Sequence, residues 1–259
     1  LGKKLKIISR HGVGYDNIDT KILKEKKISL LVTGTTTSIS PAEHIMFMIL
    51  NISKSFNLFD KSVRDGKFDK VMHMNHESFE LFGKKILIVG FGRIGKQLIK
   101  RCLGFEMKVF AYDPFVDKKV IEKLGGKKID NLEEGLKEAD ILSLSVPLTK
   151  DTYNMINLEK MKKMKKNSII INTSRGGIIN EKDLNTALDK EIVYGAGLDV
   201  FEKEPPDEDN PLLKNKKVIL SPHAATFTKE CLSNMAVQTA QNIIDFFENN
   251  LNKSMIVKL

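Results

Sequence analysis

The sequence predicts an α/β protein: a large parallel sheet with helices on both faces, and a smaller second α/β unit assembled from the two chain ends. Three observations carry this reading. From residue 85 onward, short apolar runs alternate with segments whose apolar residues recur at helical spacing. The runs are apolar at almost every position, so neither face of the sheet they form can be solvated, which is the habit of parallel sheets. And 259 residues, 41% hydrophobic and 29% charged, suffice for one large or two modest cores.

Residues 1–40 read as a strand ("KLKIIS"), a helix and another strand ("ISLLV"). That is too little for a domain, so they are grouped with the tail, 228–259. A long helix is expected from Ser40, with Ser40 as cap, Pro41 at the first helical position and Glu43 closing a capping box. Ala42, Ile45, Ile49, Ile52, Phe56, Phe59 and Val63 follow at spacings of three and four, predicting one continuous helix of about six turns. Strands are expected at 86–89, 108–112, 141–146, 169–172, 194–200 and 218–221. Between them lie helical patterns such as Ile94, Leu98, Cys102 and Leu184, Leu188. A last long helix, about 228–249, is expected to turn Leu232, Met235, Ala236, Ile243 and Phe247 inward. The larger domain is therefore 41–227.

The net charge of +9 comes from 42 Lys and Arg against 33 Asp and Glu, scattered rather than striped. The densest cluster, "KMKKMKKN" at 160–167, reads as a solvated helix face with its methionines buried, so a nucleic-acid partner is not expected. The excess charge can still draw in small anions. The longest apolar run, 45–50, cannot span a bilayer, and no signal peptide opens the chain. Cys102 and Cys231 sit in helical patterns without metal-ligand spacing, which fits structural thiols in a reducing cytoplasm and no metal.

The strongest chemical signal is "ILIVGFGRIGKQLI". Gly90, Gly92 and Gly95 form G-x-G-x-x-G between a buried strand and a helix. The first glycine permits a tight turn, the second lets a pyrophosphate approach the backbone, and the third lets helix and strand pack closely. The next strand ends in Asp113, eighteen residues beyond Gly95, where a carboxylate can accept hydrogen bonds from an adenosine ribose and would repel a 2′-phosphate. A Rossmann-like, doubly wound domain that binds NAD follows. Three further signals fall at strand ends, where such sheets bind ligands: Arg175 in "NTSRGG", Asp199 and Glu204 in "GAGLDVFEKEP", and His223 in "SPHAAT".

"HGVGYDNID", "GFGRIG", "NTSRGG", "GAGLDVFEKEP" and "SPHAAT" occur in the order found in the D-isomer-specific 2-hydroxyacid dehydrogenases, and the chain resembles that family over essentially its whole length. The family includes 3-phosphoglycerate dehydrogenase and the glyoxylate/hydroxypyruvate reductases. The resemblance implies a flavodoxin-like substrate domain built from both chain ends, incomplete here, and a homodimer formed through the helix near Ser40. It implies that Arg175 binds the substrate carboxylate, that His223 is the acid/base and that Glu204 is its partner. Arg93 and Ile94 would offer backbone N–H groups to the pyrophosphate, with Asp113 on the ribose and Val146, Pro147 and Thr152 beside the adenosine. Thr173, Ser174, Asp199 and Ala225, with His223, would line the nicotinamide side.

Some positions depart from the family pattern. "TGTTTSISPAEH" lacks the usual asparagine and has Pro41 where a small aliphatic residue is common, which bears on loop 33–39 as a substrate contact. Lys166–Asn167 stands where Pro–Gly is usual. Leu1 is not an initiator, and a strand begins almost at once, so the chain reads as lacking an upstream segment. Residues 1–40 are then expected to leave an apolar face or strand edge open, and the chain to bind NADH yet turn over poorly. Formate dehydrogenases resemble the family but carry glutamine at the carboxylate position, so Glu204 argues against that activity. The alternative from another class is a dinucleotide-sensing scaffold like the transcriptional corepressors of this fold.

Overall fold

The computed structural model describes residues 2, 4–34, 37–72 and 78–259. Thr35 and Thr36, in the loop that departs from the family pattern, lie outside the described residues. The chain forms two compact units, Leu1–Pro41 with Thr226–Leu259, and Ala42–Ala225.

In the smaller unit β1 (Ile7–Ser9) pairs in parallel with β2 (Ser29–Leu31), joined by α1 (Thr20–Glu25). Asp19 starts α1 by accepting hydrogen bonds from Lys21 N and Ile22 N. Leu23, Ile28 and Leu30 are buried together, with Ile8, Val257 and Leu259 against them. The tail returns to β2: Val257 N donates to Leu30 O and Val32 N to Met255 O.

Three helices precede the large sheet, α2 (Ile39–Ser53), of which Ala42 onward falls in the larger unit, α3 (Phe56–Arg64) and α4 (Phe68–Met72). Strands and helices then alternate: β3 (Lys85–Val89), α5 (Arg93–Gly104), β4 (Lys108–Tyr112), α6 (Lys118–Lys123), β5 (Lys127–Lys128), α7 (Leu132–Glu138), β6 (Ile141–Leu144), α8 (Leu158–Met161), β7 (Ile169–Asn172), α9 (Glu181–Asp189), β8 (Gly195–Leu198) and β9 (Val218–Leu220). The strands form one parallel sheet in the order β5-β4-β3-β6-β7-β8-β9. The order reverses between β3 and β6, which opens a crevice at their carboxyl ends. Alternation along the strands explains why both faces are covered. Ile86, Ile88, Ile169 and Ile171 join α2, α5 and α6 in one core cluster, whereas Leu87, Val89, Leu142, Leu144 and Ile170 join α7, α8 and α9 in the other.

Several expectations need correction. The long helix after Ser40 is two helices. Ser55 has φ 52° and ψ 35°, the left-handed region, and breaks the pattern between α2 and α3. Phe56 and Val63, placed on the same stripe as Ile45 and Ile49, are more than half exposed. Nor does Ser40 cap: α2 begins one residue earlier, and Glu43 pairs with Arg101 (2.6 Å) instead of closing a capping box. Pro41 is the third residue of α2 rather than the first, still within the first turn, where a missing N–H costs nothing.

The tail helix, α10 (Lys229–Phe247), is capped by Thr228, but its buried face differs from the expected one. Cys231, Met235 and Asn242 are buried, whereas Leu232, Ala236, Ile243 and Phe247 are exposed. The end of β2 needs a donor: Asn242 Nδ2 donates to Val32 O (3.2 Å), which sets the inward face one residue off the apolar stripe. The strands at 141–146, 194–200 and 218–221 are each shorter than expected, and β5 adds a strand that a pair of lysines does not announce.

Candidate active site

The glycines of the β3–α5 turn are there for space. Gly90 has φ 90°, and a Cβ on it would lie 2.5 Å from Ser145 O and 2.8 Å from a Val146 methyl, so the turn nests against the end of β6. A Cβ on Gly95 would lie 2.8 Å from Gly90 O. Gly92 is different: nothing lies within 4 Å of a Cβ there, and as N-cap of α5 it supplies no side-chain cap. The start of a 12-residue helix, with backbone N–H groups of Arg93, Ile94 and Gly95 and open space above Gly92, fits a pyrophosphate. Asp113 is fixed beside it, Oδ2 accepting from Phe91 N (2.8 Å) and Oδ1 from Phe115 N (2.9 Å). Beyond Val146, Thr152 braces the turn that follows β6: its hydroxyl donates to Pro147 O (2.6 Å) and accepts from Thr149 N (2.7 Å).

Past β7 the chain turns through an Asx motif. Asn172 Oδ1 accepts from Ser174 N (3.1 Å) and Ser174 Oγ (2.7 Å), while its Nδ2 donates to Arg175 O (2.8 Å). Thr173 is buried, and its hydroxyl has no hydrogen-bond partner among the described residues. The half-buried Arg175 donates from Nη1 to Ser174 O (2.6 Å). Gly176 lies so close to the chain after β8 that a Cβ would stand 1.7 Å from Phe201 O. The arginine loop therefore rests on the backbone of the segment that carries Glu204. That segment is itself tied to α9: Glu181 N donates to Glu202 Oε1 (3.0 Å) and Glu202 N to Glu181 Oε1 (2.6 Å). Burial pushes the Glu181 carboxyl above its ordinary range.

His223 and Glu204 meet, with Nδ1 and Oε2 2.8 Å apart. The other carboxylate oxygen of Glu204 accepts from Phe201 N (3.1 Å). An ionised carboxylate only accepts, so His223 Nδ1 carries a proton and Nε2 is left to meet a ligand. His223 has φ 53°, and its N donates to Asp199 O (2.7 Å). Asp199 is wholly buried; Oδ1 accepts from Ser221 Oγ (2.5 Å) and Ala224 N (2.8 Å), and Oδ2 from Ala225 N (3.0 Å). Its carboxylate is thus bound up in the turn around His223. A pocket of about 440 Å³ adjoins the pair, walled by Phe201, Pro205, Leu213, Leu220 and Pro222, with Glu204, Ser221 and His223 supplying its polar atoms.

Every expected site residue lies in the larger unit, in the segments that follow the carboxyl ends of its strands or in the first turn of α5. The residues missed by sequence reading are the braces: Asn172, Ser221, and His44, whose Nε2 lies 2.9 Å from Ser221 Oγ. The N-x-S spacing of an Asx turn gave a signal for the first; His44 had only its place four residues before Met48 on α2.

Residues 46–225 match the NAD binding domain of the D-isomer specific 2-hydroxyacid dehydrogenases. The chain is 40% identical over 243 residues to a D-3-phosphoglycerate dehydrogenase of Archaeoglobus fulgidus, covering 94% of this chain and 45% of that protein. It is 37% identical over 254 residues to a glyoxylate reductase of Korarchaeum cryptofilum, covering 98% and 76%. The chain thus spans about half the length of the phosphoglycerate dehydrogenases it matches. Among solved structures, the D-lactate dehydrogenase of Aquifex aeolicus, in complex with NAD and lactic acid, superposes with a TM-score of 0.88 at 32% identity, over 98% of this chain and 80% of that one. With residues 46–225 matched, this chain belongs to the D-isomer specific 2-hydroxyacid dehydrogenase family and carries its NAD binding domain.

Proposed function

We propose that the protein interconverts a D-2-hydroxy acid and its 2-oxo acid, with 3-phosphoglycerate as first candidate substrate. The observation that carries the reading is the 2.8 Å contact of His223 Nδ1 with Glu204, at the carboxyl end of the sheet that also presents Arg175. When bound, NAD(H) supplies the hydride donor or acceptor. Arg175 clamps the substrate carboxylate through two parallel N–H groups, which a planar guanidinium can do and an ammonium cannot. During reduction, His223 Nε2 gives its proton to the carbonyl oxygen as negative charge builds there; during oxidation it takes the proton from the hydroxyl. Glu204 holds the ring's Nδ1 and orients Nε2. Asp113 receives the adenosine ribose, and Arg93 and Ile94 the pyrophosphate. Thr173, Ser174, Asp199 and Ala225 wall the nicotinamide side.

Relatives named as phosphoglycerate dehydrogenases at 40% and 39% identity favour the first candidate, and relatives named as glyoxylate and hydroxypyruvate reductases supply the alternative. We further assign Leu1–Pro41 with the tail to the substrate domain, and pairing of two copies to α2 and α3, where Phe47, Phe56 and Val63 are exposed. Two buried thiols suit the cytoplasm. No described helix is long and apolar enough to cross a membrane. NADH consumption by the full-length protein with phosphohydroxypyruvate, glyoxylate and hydroxypyruvate tests the reading. The highest kcat/KM on phosphohydroxypyruvate is expected. Higher efficiency on glyoxylate would install the alternative, and no turnover of any of them would leave a dinucleotide-sensing scaffold.

A further inference from the structure

The hydrogen bonds behind His223 lead to a residue on another element. His44, in the second turn of α2, places Nε2 2.9 Å from Ser221 Oγ and 3.6 Å from Asp199 Oδ1. Its neighbours explain the approach. A Cβ on Gly195 would lie 3.1 Å from an Ile52 methyl, and one on Gly197 2.9 Å from Met48 Sδ. Ile52, Met48 and His44 are four residues apart on α2, while Gly195, Gly197 and Asp199 are two apart, along β8 to the residue just past its end. Four residues of helix rise about 6 Å and two of strand about 6.6 Å, so helix and strand stay in step. Two side chains without a Cβ let α2 come close, and the third step brings His44 to Asp199.

Proton positions follow from donor arithmetic. Asp199 as a carboxylate only accepts, so the single Ser221 hydroxyl proton, 2.5 Å away, points to it. Ser221 Oγ must then accept from His44, whose Nε2 carries a proton. We infer that His44 is a positioning residue for the acid/base: its donation fixes Ser221 on Asp199, and Asp199 in turn holds the backbone at and just after His223, through His223 N, Ala224 N and Ala225 N. That backbone needs holding, since His223 sits in the left-handed region that residues with a Cβ avoid. The inference rests on the reading of His223 as the acid/base.

Histidines labelled with ¹⁵N and observed by NMR test the first half without turnover. His44 should show a protonated Nε2, and His44→Leu should move the His223 ring signals while His44→Gln, which keeps a donor, leaves them near their native positions. Kinetics test the second half. His44→Leu should lower kcat for 2-oxo acid reduction roughly 10–100-fold, Gln should recover most of it, and Ser221→Ala, a smaller change on the same path, should repeat the loss. In a His223→Ala background His44→Leu should cost no more than about threefold, because the group it positions is gone. Equal losses in both backgrounds, equal effects of Leu and Gln, or a His44 ring protonated only at Nδ1 would overturn the inference. Failure of the wild-type protein to reduce any 2-oxo acid would instead remove the functional reading, and the NMR result would still decide the role of His44.

Discussion

Gly176 has no room for a side chain, and the reason is functional. Its backbone lies against Phe201 O, so the loop bearing Arg175 and the segment bearing Glu204 are set by one contact. Gly176→Ala must push them apart by more than an ångström. We expect kcat/KM to fall at least roughly 100-fold while NADH still binds, since a displacement of this size is enough to spoil alignment. Measuring both constants checks this, and near-native turnover would contradict it. Asp113 makes a second prediction at this scale. Its two oxygens are pinned by Phe91 N and Phe115 N, so the carboxylate cannot swing away from a 2′-phosphate. NAD(H) should be preferred over NADP(H) by roughly 100-fold or more, as like charges brought together cost several kcal/mol. Comparable kcat/KM values with the two cofactors would contradict this. Glu204, His223 and Arg175 were readable as types at strand ends. Asn172 had a local trace in its N-x-S spacing, but Ser221 and His44 had none, because their bracing hydrogen bonds join residues far apart in sequence.

The contact of α2 with β8 governs how the elements bear on the site. Gly195 and Gly197 admit Ile52 and Met48, and the Gly197→Ala methyl would press on Met48 Cβ (3.1 Å) and Ile171 Cδ1 (2.9 Å). A stability loss of about 1–3 kcal/mol is expected from such overpacking, read as a lower urea midpoint at unchanged slope. An unchanged midpoint would show that α2 has slack. The central strands β3, β6 and β7 were legible because a strand buried on both faces offers mostly apolar residues, while the ends of β6, β8 and β9 were misjudged. The break at Ser55 was hidden because the apolar spacing of α2 continues into α3 at Phe56, Phe59 and Val63, although Phe56 and Val63 are exposed. In α10 the polar Asn242 took the buried face because a carbonyl at the end of β2 needed its donor, a demand no hydropathy pattern records.

For the molecule as a whole, strand order, glycine turn and strand-end residues all point to the crevice where the sheet reverses, and membership of the dehydrogenase family agrees with that convergence. The packing that supports the crevice can be probed chemically. Cys102, on α5 in the core below the glycine turn, is wholly inaccessible, and burial pushes its thiol up to about 12. Folded protein at pH 8 should leave Cys102 unmodified by iodoacetamide, with labelling appearing only across the unfolding transition, as peptide mass mapping would show. Labelling of the native state would mean that α5 opens. The central claim is that His223 moves the proton while the glycine turn holds the cofactor. It is tested most directly by His223→Ala in the full-length protein, with NADH binding followed by fluorescence and turnover of the best 2-oxo acid by absorbance. Unchanged NADH affinity and a rate about 10²–10⁴-fold lower are expected; turnover near the wild-type rate would show that another group moves the proton.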